Sequence, residues 1–317
     1  MRIAVIGAGA LGRAFAAALR RAGADVTLVT RQGHEQSAQF TVCHRGLWDQ
    51  LRAVTLPVSS TLPVAELYLL AIRGEQLEET QVEPLLAALR ETQMPVLLLS
   101  PVLPAGAARM RERLPEVILS MPAVACHWHP EHQRLDFWSS RFAPTEIEPS
   151  TRTPGASRTF VRLLRRGGIA ARVTPDVARA GVATTVAFFP LQVAVVAGGR
   201  LLSWPRTPEL LQQIGLALRE ASTLARQLGP IALGIRVLVG LASFPSLLRL
   251  GCRVVPYLQP SLVRFLEHHF GPKLLAQHRL FTAQIAQLGL EHGCPTPHLS
   301  RLMALANERC GSSKAQH

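Results

Sequence analysis

Ile3-Ala4-Val5-Ile6-Gly7-Ala8-Gly9-Ala10-Leu11-Gly12 is the stretch whose reading decides the fold of this chain. The first four residues have the length and composition of a buried strand, and three glycines follow in G-x-G-x-x-G spacing. Arg13-Ala14-Phe15-Ala16-Ala17-Ala18-Leu19 then continues with helical apolar spacing. Strand, glycine turn and helix start, in that order, form the context of a dinucleotide site. Gly7 permits the tight turn, Gly9 lets backbone approach a pyrophosphate, and Gly12 lets helix pack on strand. Ala8, Ala10 and Leu11 complete the loop, where the helix start offers free N–H groups and a positive dipole end to phosphates.

Ala24-Asp25-Val26-Thr27-Leu28-Val29-Thr30-Arg31 reads as the second strand of the same βαβ unit. An NAD site usually carries a carboxylate at the end of this strand, to bond the ribose 2′-hydroxyl. Thr30 and Arg31 stand there instead. A carboxylate repels a 2′-phosphate, whereas a guanidinium forks onto it and a hydroxyl bonds it. The pair therefore points to NADP(H). The plainer alternative is a solvated arginine in an arginine-rich chain.

A length of 317 residues suggests two domains, and 48% hydrophobic against 17% charged residues describes a globular chain with large cores. No signal peptide is expected, because Gly7 cuts the first apolar run short. The longest uncharged run, residues 180–199, contains Pro190 and ends in Gly198-Gly199, and it reads as a buried core helix. The net charge of +13 comes almost wholly from arginine, since lysine occurs only at Lys273 and Lys314. Such a balance suits anionic ligands. The arginines are dispersed and no nucleic-acid module accompanies them, so no nucleic-acid partner is expected. Five cysteines without a C-x-x-C pair suggest a reducing cytoplasm and no zinc site. His127-Trp128-His129-Pro130-Glu131-His132 is read as a surface loop rather than a metal cluster.

Along the chain, apolar strands at 3–6, 26–29, 67–71, 96–99 and 117–121 alternate with helical stretches at 12–21, 84–91 and 105–113. A short strand within 141–147, a basic amphipathic helix at 156–166 and a strand at 170–173 follow. From Val177 onward only helical segments are expected, at 177–197, 208–228, 231–250, 258–269, 271–291 and 297–309. This divides the chain into an α/β Rossmann-type dinucleotide-binding domain, 1–173, and an all-α substrate or dimerisation domain, 174–317. The active cleft is expected between them.

With these elements in place, the chain resembles the ketopantoate reductase family. The resemblance rests on Gly7-Ala8-Gly9-Ala10-Leu11-Gly12 with Arg31, and on Leu70-Ala71-Ile72-Arg73-Gly74-Glu75-Gln76, where the family has a strand followed by Lys-x-x-Gln. It implies an NADPH-dependent enzyme with a Rossmann domain and a helical domain, with Arg73, Gln76 and Ser100 near the cofactor. Departures cluster at the catalytic positions. Ser100-Pro101 stands where the family places Asn-Gly, and Gly181, Thr185 and Phe189 stand where it has a lysine and two asparagines. The family's glutamate aligns with Gln277.

Reduction of a 2-oxo acid needs a hydride donor, a proton donor near the carbonyl oxygen and a cation for the carboxylate. For the proton, Pro272-Lys273-Leu274-Leu275-Ala276-Gln277-His278 is the candidate: a helix beginning at Pro272 places Lys273 and Gln277 one turn apart on one face. Lys273 is then the general acid, Gln277 a substrate ligand and His278 a rival proton donor. Solvated side chains are the alternative for all three. Phe188-Phe189 reads as core or as a narrowing of the cleft. The apolar stretch 231–250 reads as a buried helix or homodimer contact, with a lid over an apolar substrate or a peripheral membrane element as further options. Three functions stay open: a reductase of a small carbonyl substrate, a non-catalytic NADP(H)-binding sensor or scaffold, and a membrane-surface or partner-binding protein using residues 231–265.

Overall fold

The computed structural model describes residues 1–30, 37–45, 50–77, 79–139, 144–151, 153 and 155–314. The chain divides into two compact units, Met1–Ala178 and Arg179–His317.

The first unit is built on a parallel βαβ core. β1 (Arg2–Ile6) is followed by α1 (Ala10–Arg21) and β2 (Asp25–Val29). β3 (Ser37–His44) and β4 (Gln50–Ser59) form an antiparallel pair. β5 (Leu67–Leu70), α2 (Gly74–Leu77), α3 (Glu83–Thr92), β6 (Val96–Leu98), α4 (Pro104–Arg113) and β7 (Val117–Met121) extend the core on its other side. β8 (Val124–His129), β9 (Arg134–Ser139), β10 (Thr145–Ile147), α5 (Ala156–Arg166) and β11 (Ala171–Val173) complete the unit. The sheet order is β11-β10-β7-β6-β5-β1-β2-β4-β3-β9-β8, with β7-β6-β5-β1-β2-β4 parallel and both flanks mixed. Strand alternation explains its two cores. Ile3, Val5, Val26, Leu28, Leu67 and Leu69 face α1 and α5. Ala4, Ile6, Val29, Tyr68, Leu70 and Leu98 point to the opposite side, with Leu86 of α3 and Met110 of α4. The sheet curls, so that α1 packs against β8, β9 and α5 as well as β1 and β2. Phe15 and Leu19 of α1, both fully buried, share one core with Phe40, Val42, Leu135 and Phe137. Each such side chain contributes on the order of 2 kcal/mol by leaving water.

Four strands depart from the sequence reading: β3, β4, β8 and β9 were not expected. His127–His132 is the end of β8 and a 3-10 turn (Pro130–His132) leading into β9, a hairpin instead of a loop. Its anchor is Asp136 of β9, buried and paired with Arg45 at 2.8 Å, Arg134 at 3.0 Å and His129 at 3.2 Å. Among the described residues, no group of three or more His, Cys, Asp or Glu is placed to hold a metal.

The second unit is helical throughout its described residues. Its helices are α6 (Val177–Gly198, whose first two residues belong to the first unit), α7 (Pro208–Leu228), α8 (Leu233–Ala242), α9 (Pro245–Leu258), α10 (Pro260–His269), α11 (Leu275–Glu291) and α12 (Pro297–Lys314). The uncharged run lies in α6, where Val182, Ala183, Val186, Phe189 and Val193 are buried. The expected single helix over 231–250 is two helices. Ser243-Phe244 breaks it and Pro245 opens the next, bent by 107° from the first.

Candidate functional site

The glycine loop joins β1 to α1 at the carboxyl ends of the parallel strands. β1 has β2 on one side and β5 on the other, so the loop sits where the chain's winding reverses, the usual position of a ligand crevice in such sheets. Each glycine has a distinct reason. Gly7 has φ +101° and lies so close to the next loop that a Cβ there would stand 2.5 Å from Ala71 O. A Cβ on Gly12 would overlap the Gly7 carbonyl oxygen. At Gly9 a Cβ would meet nothing within 4 Å. Gly9 is also the N-cap of α1, with extended backbone, no side-chain cap and no carboxylate in the first turn. Open space before an uncapped helix N-terminus fits a pyrophosphate, which can take the first-turn N–H groups of Ala10, Leu11 and Gly12 as donors.

Arg13 braces this loop, a role the sequence reading missed. Its Nε donates to Ala8 O at 2.9 Å, and its guanidinium lies over Trp128, 4.1 Å from the ring centroid, and near Phe40 at 5.3 Å. The loop is thereby tied to the curled end of the sheet. The only signal in the sequence is an arginine directly after the third glycine.

The remaining cofactor candidates of this unit gather on neighbouring strand ends. Thr30 follows β2, and its N–H donates to Ser59 O at 3.0 Å. Arg31, assigned to the 2′-phosphate, lies outside the described residues. Arg73 follows β5, half exposed and paired with Glu75 at 3.1 Å, and Gln76 is held in the same turn by its N–H to Arg73 O at 3.0 Å. Ser100 follows β6, and its buried hydroxyl donates to Ile72 O. Ser100 therefore fastens one loop to the next. A surface pocket of about 340 Å³, lined by Arg20, Arg21, His44 and Arg52, lies at the other end of α1. It is roughly 12 Å along the helix axis from Gly12 and takes no part in the loop.

In the second unit, the expected helix starting at Pro272 does not form. Pro272–Leu274 is a 3-10 turn, Leu274 caps α11, and the helix begins at Leu275. Lys273 is exposed and precedes the helix, so the one-turn relation to the half-buried Gln277 is lost. His278 lies in the core, only 2% exposed, with neither ring nitrogen hydrogen-bonded. Burial lowers its pKa from 6.5 to about 4, so the imidazole is neutral at neutral pH. Phe189 is fully buried, its ring 5.7 Å from His278 and 5.9 Å from Phe281, which settles it as core. Thr184 caps a neighbour: its Oγ1 accepts Ala232 N at 3.0 Å.

Residues 3–119 match the family model described as ketopantoate reductase PanE/ApbA. No curated protein matches the chain in sequence. Among solved structures, 2-dehydropantoate 2-reductase from Geobacter metallireducens superposes with a TM-score of 0.64 at 20% identity, covering 97% of this chain and 99% of its own. Dimeric ketopantoate reductase from Staphylococcus aureus gives 0.63 at 13% identity, with 98% of both chains covered. A D-mandelate dehydrogenase bound to NADH and anilino(oxo)acetate gives 0.63 at 14% identity, covering 98% of this chain and 99% of its own. These likenesses establish the Rossmann-plus-helical fold over nearly the full length.

Proposed function

We propose, from the match of residues 3–119 to the ketopantoate reductase PanE/ApbA family model, that this chain is an NADPH-dependent oxidoreductase reducing a 2-oxo acid or related carbonyl compound. One observation carries the reading: Gly7, Gly9 and Gly12 form a crowded turn with one open face, at the strand ends where β1 meets β5. In this reading the loop N–H groups bond the pyrophosphate, and Arg13 holds the loop in shape from behind. Thr30 and Arg31 receive the adenosine ribose with its 2′-phosphate, and Arg73 and Gln76 flank the dinucleotide. NADPH, when bound, supplies the hydride for the carbonyl carbon. The carbonyl oxygen then needs a proton, a role we give to Lys273, exposed in the turn before α11, with Gln277 of the first turn of α11 as a substrate ligand. His278 is a poor proton donor, since burial leaves it without an imidazolium proton at neutral pH. The work is assigned to a reducing cytoplasm, in keeping with five cysteines that include no C-x-x-C pair.

Phe189 favours a second reading. A fully buried ring stands where the family has a substrate-binding asparagine, and Gly181 replaces its lysine. A protein that binds NADP(H) without turning over a substrate, as a sensor of nucleotide reduction, fits that loss. NADPH oxidation measured across a panel of aliphatic and aromatic 2-oxo acids, beside direct NADPH binding, separates the two. Turnover that Lys273→Ala removes supports the reductase. Tight NADPH binding with no turnover on any member supports the sensor.

A further inference from the structure

We propose that α8 and α9 form a docking face for a membrane surface rich in anionic lipid. Both helices are apolar on two sides. Leu248, Cys252 and Pro256 make the buried stripe of α9, at helical spacing. Leu247, Leu250, Val254 and Leu258 make a second, exposed stripe on the same helix, with Leu258 70% accessible. On α8, Val239 and Ala242 are buried while Leu233, Val237 and Leu241 recur every fourth residue in solvent. Phe244 at the bend and Tyr257 near the end of α9 are 60% and 80% exposed. A solvated helix needs one apolar stripe; a contiguous second stripe of this size marks a surface that is covered in use.

The charges around the stripes choose the occupant. Between Glu220 and Glu267 the sequence holds no carboxylate, while Arg226, Arg236, Arg249, Arg253 and Arg264 fall within the same span. Arg236 and Arg253 are exposed on the two helices themselves. In a two-fold contact with a second copy the same patch meets itself, and the two helices that carry the exposed Arg236 and Arg253 offer no carboxylate to pair with them. An anionic headgroup layer supplies the missing charge, with apolar side chains entering the acyl boundary and arginine stems reaching back to the phosphates. Tyrosine at the edge of such a face suits the same boundary. The helices lie on the bilayer and do not cross it. With 10 and 14 residues they are about 15 and 21 Å long, short of the roughly 30 Å hydrocarbon core, and the 107° bend prevents them from acting as one span.

Co-sedimentation of the full chain with vesicles tests this, using phosphatidylcholine alone and an equimolar mixture with phosphatidylglycerol, at low and high salt. The expected result is pelleting with the anionic vesicles only, weakened by salt. Leu250→Glu and the double variant Arg236→Glu/Arg253→Glu each reduce it at least tenfold. Thermal melting of the same variants checks that they fold, as exposed positions permit. No pelleting with anionic vesicles by the folded wild type overturns the proposal, as does equal pelleting with neutral ones. Sedimentation equilibrium showing a dimer that Leu250→Glu dissociates, with no vesicle binding, overturns it in favour of a second copy.

Discussion

Gly12 of α1 packs on Gly7 of the preceding turn with no room for a side chain between them, since a Cβ on Gly12 would overlap the Gly7 carbonyl oxygen. Gly7 in turn leaves no room for a Cβ against Ala71 O of the next strand end. One turn therefore joins β1, α1 and β5, and Gly9 is the member of the loop that faces open space.

This contact predicts different costs for two similar substitutions. Gly12→Ala forces a methyl into backbone and costs about 2–5 kcal/mol, read as a lower midpoint in urea unfolding. Gly9→Ala meets nothing within 4 Å and leaves the midpoint within about 0.5 kcal/mol of wild type. Equal destabilisation by the two would contradict the assignment of crowding to Gly12.

Arg31 is expected to select the phosphorylated cofactor. Charge-assisted bonds to a phosphate are worth about 1.5–3 kcal/mol, so Arg31→Ala raises the NADPH dissociation constant by roughly 10- to 100-fold and leaves NADH nearly unchanged. Fluorescence titration with both nucleotides gives the ratio. A parallel loss for NADH and NADPH removes the basis for NADP(H) preference.

His278 makes stability depend on pH with a definite sign. Its folded pKa of about 4 lies below the unfolded 6.5, so the unfolded chain binds the extra proton between those values. Its contribution is constant above pH 6.5 and is lost progressively as pH falls toward 4, reaching about 3 kcal/mol. His278→Leu abolishes that slope. Unfolding curves at a series of pH values check it, and identical slopes for variant and wild type would exclude the buried neutral imidazole.

Asp136 holds the curled end of the sheet through Arg45 and Arg134. Asp136→Asn removes the buried charge that faces these partly exposed guanidiniums and is expected to cost about 1.5–3 kcal/mol. Hydrogen exchange should accelerate in β9 and β8 first. A midpoint unchanged from wild type would show the pairs to be incidental.

How much was legible follows from burial. β1, β2, β5, β6 and β7 are short runs covered on both faces, so apolar composition alone revealed them. β4 exposes most of its residues and carries Arg52, and Pro57 inside its Val54-Leu56-Val58 alternation hid it as a strand. β8 holds three polar or aromatic residues at its end, and the pairing that makes it a strand comes from β9. In the site, the glycines were legible because steric need at each is local. The tie from Ser100 to Ile72 O was not legible, because nothing local reveals which carbonyl takes that proton. His278 was read as available because its burial depends on Phe189, 89 residues earlier in the chain.

A nicotinamide dinucleotide is expected to dock on the turn between β1 and α1. Titration of NADPH into folded wild type and folded Gly9→Ala tests it most directly. The account predicts saturable binding at one site per chain, weakened at least tenfold by the added methyl. Absence of binding to either NADPH or NADH by folded wild-type protein, or unchanged affinity in Gly9→Ala, would contradict it.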